Sequence, residues 1–329
     1  MKAFNLFIKK YNIYLLLACI ILLQTVCLTV SFANNKKGYH SDELWSYGFA
    51  CSSEGMNVFS ERDGQTPKNF DKWVSSSVLH DYITIDKSET FDYVSVYQNS
   101  ADDYHPFLYF ILLHFICSIF PGTFSMWYAY VINIIFFIIQ QIFLFKLIRS
   151  LTGNSHWGII GTFFFGLTTG SENILFFLRM YCPATALSVV LFYYLTELYN
   201  KRNDSKISKS LFIKLFITTL AGCLMLHEFI ILAFIAALLY GLYYLFTKHV
   251  KYAFIFGGTM ISSALLSIGI FPSTIPHLFG STGTFGGHVK KYSFMFQFKI
   301  YWSYITNELF GIATSPWHTM TSVYVFYAI

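Results

Sequence analysis

The stretch IYLLLACIILLQTVCLTVSF, residues 13–32, decides the fold class of this chain. It is an apolar run of about 20 residues, which is the length that a helix needs to cross the hydrocarbon core of a bilayer. Three lysines precede it, Lys2, Lys9 and Lys10. A cleaved signal peptide usually has a shorter apolar core and a small-residue cleavage site. We therefore predict an uncleaved first span whose N-terminus lies in the cytoplasm.

The composition of the whole chain agrees with this prediction. It is 55% apolar and 12% charged, whereas about a quarter of the residues of a soluble domain are charged. The net charge of +5 is uneven, because 12 of the 17 acidic residues lie within 34–105. This distribution does not indicate a nucleic-acid partner. Five of the six cysteines lie in apolar runs and only Cys51 lies in a polar loop, so no disulfide framework or zinc motif is predicted.

Charge also settles the number of spans. We predict six further spans, near 124–146, 156–171, 181–198, 211–226, 229–246 and 252–270. The apolar run at 106–120 is about 15 residues long, which is short for a span and common for an interfacial helix. If it lies flat on the outer surface, the basic loops fall in the cytoplasm, as the positive-inside rule requires. These loops are 1–11, 146–155, 199–210 and 247–251. We therefore predict seven spans, not eight.

The resulting organisation has four parts. Residues 1–33 form the cytoplasmic N-terminus and first span, and 34–123 form an acidic, aromatic outer loop that carries surface helices. Residues 124–270 hold spans two to seven, and 271–329 begin with another outer loop. The sequence stops on VYVFYAI, residues 323–329, which is typical of the start of a span. We therefore expect the chain to be incomplete.

The outer loop opens with HSDELWS, residues 40–46, directly after the first span. Two interpretations of its acidic pair compete. In the first, Ser41 caps a helix, and Asp42 and Glu43 occupy its first turn, where the helix dipole favours negative charge. In the second, a carboxylate does chemistry at the membrane surface. These seven residues alone favour the first interpretation.

Polar side chains at span edges make the second interpretation stronger. Charged residues near a membrane are costly and are functional candidates by default, and the predicted topology places most of them on one side. They are Asp42, Glu43, Asp102, Asp103, His105, Glu172, Arg179, His227, Glu228, His277 and His288. Considered alone, Arg179 can be interpreted as an arginine that snorkels to the membrane interface. Likewise, His227 can be interpreted as a histidine at a helix end whose hydrogen bonds are satisfied within the fold. Their convergence on one face is what favours a site.

Four motifs in the chain resemble the GT-C membrane glycosyltransferases, which include protein O-mannosyltransferases and lipid A aminoarabinose transferases. The motifs are HSDELWS at 40–46, DDYHPFLYFILLH at 102–114, FPGTFSMW at 120–127 and LRMY at 178–181. Their order and spacing resemble the bacterial mannosyltransferase-like branch of that family. The resemblance covers nearly the whole chain and implies an all-α integral membrane fold, a GT-C-type module of about seven transmembrane helices with outer-face surface helices.

The resemblance also implies a reaction. A sugar would pass from a polyprenyl-phosphate donor to a hydroxyl on a glycan, lipid or protein, with inversion, at the extracytoplasmic face of the cell membrane. Asp42 matches the family's catalytic acid and would be the general base, with Glu43 as its neighbour and fallback. Arg179 and His105 would bind the donor phosphate. The residues for the acceptor or a metal would be Asp103, Asp102, His227 and His277.

Some points stay open at the level of sequence. The family usually has HPP where this chain has His105, Pro106 and Phe107, and we expect that difference to alter only the start of a helix. Some relatives use a divalent cation and others none, and no fixed ligand spacing decides the matter here. A transporter or lipid-linked-sugar flippase is the main alternative, although it needs broken helices with polar groups at the midplane. The sugar and the acceptor are not specified.

Overall fold

A computed structural model describes residues 2–55, 75–202, 204, 207–280 and 294–310. The described residues form helices and no strand. In chain order the helices are α1 (Lys2–Asn35), α2 (Ser41–Cys51), α3 (Ser76–Ile83), α4 (Tyr93–Asp102), α5 (Leu108–Ile119), α6 (Met126–Thr152), α7 (Ser155–Phe165), α8 (Thr169–Phe176), α9 (Tyr181–Asn200), α10 (Lys209–Met225), α11 (Phe229–Phe246), α12 (Val250–Ile270), α13 (Thr274–Phe279) and α14 (Phe294–Phe310). The fold class is therefore all-α, as predicted.

Four of these helices are long and apolar enough to cross a membrane. They are the Asn12–Asn35 part of α1, α6, α11 and α12. The chain is thus a membrane protein by the length and composition of its helices. The other predicted spans correspond to α9 and α10, with 20 and 17 residues, and to the 156–171 region.

The predicted span at 156–171 is not one helix. α7 ends at Phe165 and α8 begins at Thr169. The break lies beside two glutamines from the middle of α1 and α6. The amide of Gln24 donates to the carbonyls of Thr162 and Phe163, and the amide of Gln141 donates to Gln24. Polar side chains therefore satisfy backbone carbonyls near the end of α7, which is how membrane helices tolerate an interruption.

The helix ends gather at two opposite levels. At one level, Asn200 at the end of α9 donates to the Ser150 hydroxyl near the end of α6, and the Tyr244 hydroxyl of α11 donates to the Leu198 carbonyl. The backbone N–H of Ile207, just before α10, donates to Tyr252 of α12. The described residues of the segments predicted to be cytoplasmic, 146–155, 199–210 and 247–251, therefore share one end of the bundle, which we call the basic end.

The described short helices between α1 and α6, which are α2 to α5, form a layer at the other end. The Asn99 amide of α4 donates to the carbonyls of Phe49 and Ser52, and a ring nitrogen of His114 contacts the Ala50 carbonyl at 2.6 Å. α5 has 12 residues, fewer than a span needs. Cys51, predicted to lie in a polar loop, is instead the buried last residue of α2.

An aromatic core joins this layer to the long helices. Phe32 at the end of α1 stacks on Tyr130 of α6, with ring centroids 4.1 Å apart. The Tyr47 hydroxyl of α2 donates to the Ser125 carbonyl and accepts the Ala129 N–H at the start of α6. Fully burying such side chains contributes on the order of 2 kcal/mol each. These contacts hold the start of α2 beside the end of α1.

One local prediction about the start of α2 is wrong. The N-cap is His40, not Ser41, because His40 has the extended backbone and its Nδ1 accepts the Asp42 N–H at 3.2 Å. Glu43 completes a capping box by accepting the His40 N–H at 2.8 Å. The acidic pair does occupy the first turn, as predicted. The predicted further span at 323–329 lies outside the described residues.

Candidate functional site

The two acids of the pair point in different directions, because consecutive helical residues lie about 100° apart around the axis. Glu43 is fully buried and its oxygens are saturated with donors. The Lys36 ammonium donates to both of them, at 2.7 and 2.8 Å, and the Leu178 N–H donates to Oε1 at 2.9 Å. With the His40 N–H, four donor contacts surround this carboxylate. Glu43 therefore ties α2 to the segment that leads into α9.

Asp42 instead faces the open side of the site. Its side chain is 30% exposed, and its Oδ2 lies 2.5 Å from Nη1 of Arg179. His40 flanks the other oxygen, with 3.5 Å between Nδ1 and Oδ1. Asp42 is thus the carboxylate of the pair that a ligand can reach.

Arg179 is held in place by its own backbone surroundings. It lies between α8 and α9, and Asn133 of α6 donates from its side-chain amide to the carbonyls of Leu175 and Phe177. The Glu43 carboxylate anchors the N–H of Leu178, the residue before Arg179. The Arg179 side chain is only 5% exposed, yet its Nε has no partner among the described residues. A buried guanidinium with one idle donor is unusual, since buried polar atoms are nearly always hydrogen-bonded.

His105 and Asp103 continue the network on the other side of Arg179. Oδ2 of Asp103 lies 2.8 Å from Nδ1 of His105, and Nη2 of Arg179 lies 3.4 Å from Nε2 of His105. When Nδ1 carries the proton and donates to Asp103, Nε2 is free to accept from Arg179. Asp42, Arg179, His105 and Asp103 therefore form one chain of polar contacts.

Two further histidines border this chain. Nε2 of His227 lies 3.2 Å from Nδ1 of His277, and Nε2 of His277 lies 3.2 Å from the Ala101 carbonyl. Burial, reinforced by the proximity of His277 and His105, lowers the pKa of His227 to about 3. Burial likewise lowers the pKa of His277. Both rings are therefore neutral near pH 7, and Nδ1 of His227 is buried without a partner in the described part of the chain.

The remaining predicted residues are not part of this chain of contacts. Asp102 is exposed, and Glu228 is exposed at the start of α11. Glu172 accepts the Ser31 hydroxyl at 2.6 Å. His288 lies outside the described residues. The structure therefore brings together Asp42, Glu43, Asp103, His105, Arg179, His227 and His277, from five separate segments of the chain.

No group of three or more His, Cys, Asp and Glu side chains suited to hold a metal occurs among the described residues. Asp103 and His105 contact each other, while the two oxygens of Asp42 face Arg179 and His40. The charged centre of the arrangement is Arg179. A guanidinium of this kind selects an anion with two or more oxygens, such as a phosphate.

Sequence reasoning missed two residues that build the site. Lys36 neutralises Glu43, and its position seven residues ahead of that acid in an acidic segment was the available signal. Asn133 fixes the backbone ahead of Arg179. An asparagine within an otherwise apolar span is a polar group that needs partners, so its presence in α6 could have drawn attention.

Comparison with known protein families, with curated proteins and with solved structures found no match to this chain. The assignment of function therefore depends on the geometry of the site and on the motifs that resemble the GT-C glycosyltransferases.

Proposed function

We propose that this chain is a membrane glycosyltransferase that moves a sugar from a polyprenyl-phosphate donor to a hydroxyl acceptor. The observation that carries the proposal is Arg179, a buried guanidinium that contacts the carboxylate of Asp42 and keeps an idle Nε. A lipid-borne phosphate is an anion of the chemistry that Arg179 binds, and the membrane delivers it to the end of the bundle where Arg179 lies.

Within this proposal the ion pair is a resting state. When the donor phosphate binds to the Arg179 guanidinium, the contact between Arg179 and Asp42 loosens. His105 lies 3.4 Å from the same guanidinium and keeps it oriented through its contact with Asp103. Asp42, being partly exposed, then meets the acceptor hydroxyl from the aqueous side.

The transfer step balances with one base. The acceptor oxygen attacks the anomeric carbon, a new C–O bond forms, and the bond from that carbon to the phosphate oxygen breaks. The electron pair of the broken bond leaves with the phosphate, and Asp42 takes the proton of the hydroxyl. Phosphate leaves without being protonated, so the second carboxylic acid of a glycosidase is not needed. A single displacement inverts the anomeric centre.

The same geometry separates the roles of the two acids. Glu43 has no exposed surface and both its oxygens are occupied by Lys36, His40 and Leu178. We assign it to positioning of the Arg179 segment and not to proton transfer. The neutral pair His227 and His277 borders His105 and Asp103 and supplies ring nitrogens that can contact the acceptor. In this proposal α7 with α8, α9 and α10 complete a seven-span GT-C-type module whose site faces the extracytoplasmic side.

The test is transfer itself. Membranes containing the chain would be given a radiolabelled short-chain polyprenyl-phosphate sugar, with mannose first and other hexoses and aminoarabinose in parallel. With the wild-type chain, the radiolabel is expected to move from the donor in the organic phase to acceptor material. With the Arg179→Ala variant, the radiolabel is expected to remain in the organic phase. A chain that folds and moves no label from any of these donors would contradict the proposal.

One observation favours a second function. The broken helix at 166–168, with Gln24 and Gln141 beside it at mid-span, is a feature of transporters and flippases. These amides bond to each other and to backbone carbonyls, and no charged side chain joins them among the described residues. Movement of a fluorescent polyprenyl-phosphate sugar between leaflets, without sugar transfer, would favour this function.

A further inference from the structure

A cavity lies at the basic end, opposite the candidate site. It has a volume of about 180 Å³ and opens between α6, α9 and α10. Three lysines line it, Lys146 from α6, Lys201 directly after α9 and Lys214 from α10. This volume would hold about six water molecules, which is enough for a phosphate group. The cavity is independent of the function proposed above.

The positive charge of this cavity is largely uncompensated. Its one carboxylate, Glu197, accepts the Ser150 hydroxyl at 2.7 Å, and its other oxygen lies 4.0 Å from Lys201. Lys146 and Lys214 form no ion pair with any described residue. Three lysines against one glutamate leave a surplus of two positive charges in a small concave space, so the preferred ligand is an anion.

Aromatic rings place the cavity at the level of lipid headgroups. The ammonium of Lys146 lies 4.5 Å from the ring centroid of Phe143, and that of Lys214 lies 5.8 Å from the centroid of Tyr194. Tyr193 lines the same wall. Tyrosines at the end of a spanning bundle mark the membrane interface, and lysine stems lie along apolar surface there while their ammonium groups reach the polar layer.

We propose that this cavity binds the phosphate of an anionic phospholipid in the leaflet at the basic end. Lys146, Lys201 and Lys214 pair with the phosphate, and the aromatic wall contacts the glycerol and the first methylenes of the chains. Basic pockets between transmembrane helices are known to take acidic lipid headgroups. Free phosphate carries the same kind of charge, but it has no glycerol or methylene groups to contact the aromatic wall, so its binding should be weaker.

The experiment titrates the purified full chain in neutral detergent with short-chain phosphatidylglycerol, phosphatidylcholine or inorganic phosphate. Binding is read from lipid retained after gel filtration and from the rise in Tm. We expect the chain to retain phosphatidylglycerol and to show little response to the other two. The double variant Lys146→Gln with Lys214→Gln should bind it about 25-fold more weakly, given the usual worth of a lysine near an anionic surface.

The matched control is Lys248→Gln with Lys251→Gln, which removes the same charge from exposed positions at the same end. It should bind like the wild type. Equal losses in both variants would mean diffuse surface attraction and would overturn the site. Equal binding of phosphatidylcholine, whose phosphate charge is balanced by its choline, would overturn the preference for an anionic lipid. Equal binding of free phosphate would overturn the lipid assignment. The double variant Lys146→Arg with Lys214→Arg keeps the positive charge and should still bind phosphatidylglycerol. Loss of binding in this variant would also contradict the proposal.

Discussion

Nη1 of Arg179 lies 2.5 Å from Oδ2 of Asp42, and this contact joins the segment between α8 and α9 to the first turn of α2. The guanidinium is almost fully buried, whereas the carboxylate is partly exposed. A ligand phosphate therefore competes with Asp42 for Arg179 from the accessible side. In the proposed reaction this competition couples donor binding to the release of the base.

Arg179→Lys should raise the KM for the polyprenyl-phosphate donor. Lysine keeps the positive charge, but it loses the fork that reaches Asp42 with one nitrogen and His105 with another. We expect at least a tenfold rise, measured as initial rates against donor concentration. Arg149→Lys at the basic end, where Arg149 donates to the Tyr14 hydroxyl, is the matched control and should leave the KM unchanged. An unchanged donor KM in Arg179→Lys would leave Arg179 as a structural residue.

Glu43→Gln should destabilise the fold. Whichever oxygen is replaced, the amide nitrogen would face the Lys36 ammonium and one backbone N–H group, that of Leu178 or that of His40, and all of these are donors. Breaking one side of a buried ion pair costs about 3 kcal/mol or more. Unfolding of the purified chain, followed by circular dichroism, measures the loss. Asp42→Asn, one residue away and partly exposed, should lose far less, and equal losses in the two variants would contradict the division of roles.

The sequence predicted the all-α class and the segments that come together at the candidate site. Both follow from the length of the apolar runs and from the polar residues at their ends. It placed Asp42 and Glu43 in a first helical turn, and the structure agrees. The sequence could not assign their partners, because Lys36 is separated from Glu43 by the connection between α1 and α2, and Arg179 is distant from Asp42 in the sequence. The direction of each side chain depends on the rotation of α2, which packing against α5 and α6 determines.

The interruption of the 156–171 region was also hidden in the sequence. The region contains four glycines, Gly158, Gly161, Gly166 and Gly170. A glycine within an apolar segment does not by itself distinguish a break from a tolerated glycine. In the structure a Cβ at Gly166 would lie 2.4 Å from the amide nitrogens of both Gln24 and Gln141. A side chain at this position would therefore displace these two amides, a contact that only the three-dimensional structure shows.

Acid should destabilise the chain through the histidine pair. Burial holds the pKa of His227 at about 3 in the folded state, against an ordinary value of 6.5. Below pH 6.5 the unfolded chain takes up a proton that folded His227 does not accept, so stability falls by up to about 1.4 kcal/mol per pH unit between pH 6 and pH 4. His277, whose pKa is also lowered, adds in the same direction.

The measurement is the Tm of the purified chain at pH 7.5 and at pH 5. The drop should be smaller in His227→Gln, because glutamine does not titrate. His156→Gln, an exposed position at the start of α7, is the control and should show the full drop. A wild-type Tm that does not change between these two pH values would contradict the burial of both rings as neutral groups.

The two ends of the bundle should lie on opposite sides of the membrane. Single cysteines at Ser76, in α3, and at Asp204, between α9 and α10, are both at exposed positions. In a background without other cysteines, an impermeant thiol reagent on intact cells should label the first and not the second. Labelling of Asp204→Cys alone would reverse the orientation and place the candidate site in the cytoplasm.

Asp42→Asn should abolish transfer while leaving the fold intact. Asparagine has the size of aspartate and keeps an oxygen that can accept from Arg179, but it cannot take a proton from the acceptor hydroxyl. If Asp42 serves only the helix start, the change should cost little, because the cap of α2 is built by His40 and Glu43. If Asp42 is the base, the rate of transfer should fall by a hundredfold or more, which is the usual worth of a positioned base.

The control is Asp81→Asn, which removes the same charge from an exposed position in α3, in the same layer of short helices. It should keep more than half of the wild-type rate, so that a general loss of negative charge near the site is separated from loss of the base. Both variants would be compared at matched protein amounts, with circular dichroism and Tm as checks of folding. Wild-type turnover in Asp42→Asn would remove the carboxylate from the mechanism, and equal losses in both variants would point to the electrostatics of the whole surface instead.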